Sequence, residues 1–88
     1  MKNILITGGS GEIGSEIISH LSFGKNKIFF TYNKNYIGSQ NICKKIKKYN
    51  NNIFFYKVSN NNQKEIIRTI KKIKKNHGPV DILINNAG

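Results

Sequence analysis

The chain has 88 residues, enough for one small domain with a thin margin of stability and too few for a two-domain enzyme. Its net charge of +11 arises from 14 lysines and one arginine against Glu12, Glu16, Glu65 and Asp81. Lys, Asn and Ile together make up half the residues, a bias toward A/T-rich codons, and the near absence of arginine, the better bidentate reader of phosphate and guanine, argues against a nucleic-acid partner. Cys43 is the only cysteine, which excludes an intrachain disulfide and a cysteine-based metal site and fits a reducing compartment. The apolar run Ile4-Leu5-Ile6 is too short for a signal peptide or a membrane span, so a cytoplasmic location is expected.

In chain order, the apolar run from Ile4 to Thr7, bounded by glycines, reads as a strand buried on both faces of a parallel sheet. Ile13, Ile17, Ile18 and Leu21 recur at helical spacing until Gly24 supplies a stop. Lys27 to Tyr32, rich in β-branched and aromatic residues, predicts a second strand that ends at Asn33-Lys34-Asn35. Ile37, Ile42, Ile46 and Tyr49 trace a lysine-rich amphipathic helix, broken at Asn50-Asn51-Asn52. Ile53 to Val58 predicts a third strand. A helix from about Gln63 to Lys75 follows, with Ile66, Ile67, Ile70 and Ile73 on one face and Lys71, Lys72, Lys74 and Lys75 on the other. His77-Gly78-Pro79 stops it, and Val80 to Ile84 is a fourth apolar run. This alternation implies βαβ units, parallel strands and right-handed crossovers.

Gly9-Ser10-Gly11-Glu12-Ile13-Gly14 fits G-x-G-x-x-G and lies between a predicted strand and a predicted helix, where a dinucleotide-binding turn belongs. Glycines let the backbone approach a pyrophosphate, and the free amides of the first helical turn meet its charge. Thr7 and Ser10 could add hydroxyl donors, whereas a carboxylate at Glu12 would repel a diphosphate unless it faced solvent. The predicted architecture is α/β, a truncated Rossmann-type doubly wound parallel sheet of four strands and three helices. Residues 1–88 are expected to form one NAD(P)-binding domain, incomplete at the C-terminus, with strand order 3-2-1-4. An acidic residue is expected about 20 positions after the glycines to hold the ribose hydroxyls of NAD, yet none occurs between Glu16 and Glu65. Asn33 and Lys34 at the end of the second strand would suit a 2′-phosphate, favouring NADP over NAD.

Thr7-Gly8-Gly9-Ser10-Gly11-Glu12-Ile13-Gly14 near one end and Asn85-Asn86-Ala87-Gly88 at the other resemble the two motifs of the N-terminal half of the short-chain dehydrogenase/reductases. Within that family, Thr31-Tyr32-Asn33 and Gly78-Pro79-Val80-Asp81-Ile82-Leu83-Ile84 look most like β-ketoacyl-acyl-carrier-protein reductases of fatty-acid synthesis, which reduce a β-keto thioester with NADPH. The resemblance implies that Gly8, Gly9, Ser10, Gly11 and Ile13 line the diphosphate and ribose and that Gly14 permits close helix packing. It also places Asn33 by the ribose phosphate, Val58 beside the adenine and Asn86 near the ribose, while the closing motif that includes Ala87 and Gly88 helps hold the central sheet. An acyl-carrier-protein substrate and a homo-oligomeric full-length enzyme are further implications.

Two positions depart from the family pattern: Glu12 replaces its middle glycine, and Lys57 replaces the acidic or amide residue before the adenine-side valine. The family's Tyr-x-x-x-Lys pair has no counterpart, because Tyr32, Tyr36, Tyr49 and Tyr56 are followed four positions later by Tyr36, Gln40, Ile53 and Asn60. No catalytic residue is assigned, and the chain reads as a cofactor-binding half or, alternatively, an inactive dinucleotide-binding module. The lysines of the second and third helices read as a solvated face, Cys43 as a small buried thiol, His20 as capping or solvated and His77 as a cap. The histidines lack metal-ligand spacing to one another. The fourth strand is expected to be an open apolar edge, with a marginal fold prone to association.

Overall fold

A computed structural model describes residues 1–59 and 62–86. Four strands, β1 (Lys2–Thr7), β2 (Asn26–Tyr32), β3 (Ile53–Lys57) and β4 (Ile82–Asn85), alternate with α1 (Glu12–Leu21), α2 (Tyr36–Ile46) and α3 (Gln63–His77). All neighbouring strands are parallel in the order β3-β2-β1-β4. β1 is central because its apolar run has two faces to bury: Ile4, Leu5 and Ile6 are all inaccessible. Its register sets Ile4 opposite both Ile28 and Ile82.

The two faces carry different cores. Ile4, Ile6, Ile28, Phe30 and Ile53 pack with Ile18 of α1 and with Cys43 and Ile46 of α2, while Leu5 and Phe29 point the other way and meet Ile73 of α3. Strand order reverses after β3, so a right-handed crossover must carry α3 over the face opposite α1 and α2. Phe29 and Phe30, adjacent in sequence, anchor one face each, and full burial of such a side chain stabilises the fold by about 1.5–3 kcal/mol.

Several helical positions differ from the apolar periodicity. Ile13 and Ile37 lie in the first turns of α1 and α2, beyond the sheet, and are each 70% exposed. The buried stripe of α2 is Ser39, Cys43 and Ile46. Tyr49, expected to continue that helix, lies in the turn after it. α3 runs to His77, where Gly78 at φ 100° ends it. The His77 ring sits edge-on to Phe29 at 5.0 Å between centroids, and the C-cap position belongs to Gly78. His20 is solvated, 3.9 Å from Glu16 one turn earlier.

β4 begins at Ile82 because 78–81 form a clamp at the foot of β1. Asn3 donates its side-chain amide to the carbonyls of His77 (3.1 Å) and Pro79 (3.0 Å), and its backbone N–H to the Asp81 carboxylate (2.8 Å). β4 forms the sheet edge, with Leu83 50% exposed above a groove of about 440 Å³ that Ile66, Ile67 and Ile70 of α3 also line.

Candidate functional site

The C-terminal ends of the strands and the N-terminal ends of the helices meet at the glycine turn. Gly8 leaves β1 at φ 68°, a conformation costly for any residue with a Cβ. Thr31 of β2 holds the turn from one side: its hydroxyl oxygen accepts from Gly8 N–H (3.0 Å) and its carbonyl from Gly9 N–H (2.9 Å). The end of β4 holds it from the other, where the Asn86 side-chain amide donates to the Gly8 carbonyl (3.1 Å). The same carbonyl accepts from Gly11 N–H at 3.3 Å. Two motifs 78 residues apart are therefore one structural unit.

Gly14 shows how tightly α1 is drawn in. A Cβ there would collide with the Gly8 carbonyl oxygen and lie 2.8 Å from Gly9 Cα and 2.9 Å from Asn86 Nδ2. Gly11 differs. Its φ of −74° suits any residue, and a Cβ would meet nothing closer than the Gly8 oxygen at 3.5 Å. The protein's own packing does not require glycine at this position. Gly11 is also the N-cap of α1 and supplies no side-chain hydrogen bond, whereas Asn35 caps α2 through Gly38 N–H (3.0 Å) and Asn62 caps α3 through Lys64 N–H (2.9 Å).

The remaining expected residues are distributed around this turn. Ser10 is half-buried beside Gly11, and Ile13 projects outward from the first turn of α1. Asn33 is half-buried and Lys34 exposed directly after β2, next to Val58, whose N–H donates to the Tyr32 carbonyl at 2.8 Å. Val58 is buried. Glu12 is exposed, the solvent-facing arrangement that limits repulsion of an anion at the helix start. Lys57 is exposed at the end of β3. Ala87 and Gly88 lie outside the described residues.

Two of the expected residues are also engaged within the protein. Thr7, expected to offer its hydroxyl to a ligand, is buried; that hydroxyl donates to Asn85 Oδ1 (3.0 Å) and accepts from Asn86 N–H (3.0 Å). Asn86, expected beside the ribose, directs its side-chain amide to the Gly8 carbonyl. Both position the turn. Thr31 has a positioning role that the sequence reading missed, its one available signal being a threonine between large aromatics at the end of a strand, and Asn85 belongs to the closing motif already expected to help hold the sheet. Away from the turn, burial pushes the Cys43 thiol pKa up, with Lys47 opposing it, and burial likewise raises Tyr56.

The family model for short chain dehydrogenase matches residues 2–88. A 3-oxoacyl-[acyl-carrier-protein] reductase from Buchnera aphidicola is 42% identical over 91 aligned residues, covering 99% of this chain and 34% of the relative. An uncharacterized oxidoreductase of Saccharomyces cerevisiae is 36% identical over 84 residues, covering 96% of this chain and 25% of the relative. The chain thus spans about a quarter to a third of the length of these curated relatives. Among solved structures, a Serratia marcescens short-chain dehydrogenase/reductase superposes with a TM-score of 0.90 at 23% identity, over 99% of this chain and 36% of the other. A Bacillus anthracis short chain dehydrogenase gives 0.85 at 25% identity, over 99% and 35%. With the family model matched from residue 2 to the last residue and the strand order and glycine turn in place, the chain belongs to the short-chain dehydrogenase family of oxidoreductases.

Proposed function

We propose that this chain is the NADP-binding half of a short-chain reductase acting on a 3-oxoacyl thioester carried by an acyl-carrier protein. The observation that carries the cofactor reading is Gly11: neither its backbone angles nor its packing requires glycine, and its lack of a capping side chain leaves the first turn of α1 open to an anion. Gly8, Gly9, Ser10, Gly11 and Ile13 would hold the diphosphate and its ribose. Gly14, Thr7 and Asn86 keep the turn in shape. Asn33 and Lys34, with no carboxylate at the end of β2, would receive the 2′-phosphate, and Val58 would back the adenine.

The bound nicotinamide would supply hydride. Proton transfer needs a separate donor, and no tyrosine of these 88 residues has a lysine four positions later. The acyl substrate and fatty-acid role follow the 42% identity to the Buchnera aphidicola reductase. A cytoplasmic location and a homo-oligomeric full-length enzyme belong to the same reading.

Calorimetric titration with NADPH and NADH tests it. Saturable binding that favours NADPH, with the preference reduced in Lys34→Ala, is the expected result; no binding at millimolar cofactor would defeat the proposal. Turnover of a β-keto thioester by the purified chain should remain at background. That outcome also accommodates the second reading, a dinucleotide-binding module without a reaction of its own.

A further inference from the structure

At the opposite end of the sheet from the glycine turn, the turns after α1 and α2 are joined by hydrogen bonds. The Asn50 side-chain amide donates to the carbonyls of Ser22 (3.2 Å) and Asn26 (3.1 Å), and its oxygen accepts from Asn52 N–H (2.8 Å). Ser22 is itself fixed by its hydroxyl to the Ile18 carbonyl at 2.6 Å. Beside these bonds Phe23 and Tyr49 stack with centroids 4.8 Å apart and planes 8° from parallel. The pair remains at the surface, with Phe23 76% and Tyr49 44% exposed. A single exposed aromatic needs no explanation, but two held in a fixed stack resemble the aromatic centre of a protein interface.

The charge around the pair has one sign. Lys25 follows Phe23 by two residues, Lys47 and Lys48 immediately precede Tyr49, and all three are exposed. The four acids are engaged or placed elsewhere: Glu16 beside His20, Asp81 on Asn3 N–H, Glu65 on Ser59 N–H and Glu12 at the far end of α1.

We infer that this foot of the domain docks an acidic protein segment, which sets an aliphatic side chain against the Phe23–Tyr49 rings and its carboxylates against Lys25, Lys47 and Lys48. The chain's single arginine, the side chain best suited to reading phosphate, lies on α3 and not in the turns that carry the rings. A membrane would require a broad apolar face, whereas these rings rest on a turn of serine and asparagine. The surface lies away from the glycine turn, and its occupancy is independent of the cofactor reading.

Fluorescence anisotropy of the full chain with a labelled amphipathic peptide of leucine and glutamate tests the inference. Binding should weaken about tenfold in Phe23→Ala, persist in Phe23→Tyr, fall with added salt, and vanish when serine replaces leucine in the peptide. A circular dichroism melt should show that Phe23→Ala folds as the parent does, and its NADPH titration should match the parent's. Equal peptide affinity of parent and Phe23→Ala, or no peptide binding at low salt, would overturn the inference. So would Phe23-dependent binding of oligo(dT) or phosphatidylserine vesicles in place of the peptide, since either assigns the surface to another class of partner.

Discussion

All three helices begin at the same end of the sheet, yet two are capped by an asparagine side chain and α1 is not. Asn35 and Asn62 satisfy amides that would otherwise lack partners; Gly11 leaves its helix start open. Glycine in place of asparagine at an N-cap costs only a few tenths of a kcal/mol. An unfilled helix start is thus inexpensive to maintain, and it leaves the N–H groups and the positive end of the dipole facing the expected diphosphate. An asparagine before an amphipathic run serves stability at α2 and α3, whereas the glycine before α1 leaves that helix start to the proposed ligand.

Gly14→Ala should break this contrast most severely, because its methyl would overlap the Gly8 carbonyl and displace Asn86. We expect a stability loss of about 1–3 kcal/mol in urea titration, with NADPH binding abolished. Gly11→Asn should convert α1 into a helix like the other two: its Cβ has room, so stability should rise by a few tenths of a kcal/mol. NADPH affinity should meanwhile fall about tenfold as a charge-assisted hydrogen bond is lost, measured by calorimetry. Asn62→Ala should show the reverse pattern, costing about 1 kcal/mol of stability while leaving cofactor affinity unchanged.

The smallest effect is at Cys43, on the inner face of α2. Its thiol pKa is raised in the fold by burial, so the neutral form is favoured there. The resulting stability is fully present below the unfolded thiol pKa, about 8.5, and is lost as pH rises through the higher folded value. Tyr56 adds a loss of the same sign above about pH 10. Urea midpoints should therefore decline on the alkaline side of pH 8.5, with the earlier part of the decline absent in Cys43→Ala.

Much of the fold was legible because a parallel sheet imposes plain local requirements. Ile4-Leu5-Ile6 and Ile28-Phe29-Phe30 must be apolar on both faces, and the intervening helices must present a stripe to them. The stripes themselves were less legible, since isoleucine is so frequent that it also occupies exposed first turns at Ile13 and Ile37 while Ser39 and Cys43 fill the inner face of α2. The glycine turn was readable as a motif, but the internal bonds of Thr7 and Asn86 were not, because hydroxyl and amide groups look alike in sequence whether they face a ligand or another strand.

By itself, then, the sequence determined the order and type of the elements, the family, and the position of the glycine turn, since each depends on periodicity or residues close along the chain. Only the tertiary structure decided which polar groups remain open. Asn86 is tied to Gly8 across 78 positions and Asn3 to His77 across 74, and those bonds exist only after β1 and β4 pair. Gly11 became informative for the same reason: the space around a missing Cβ is set by neighbours brought together in the fold.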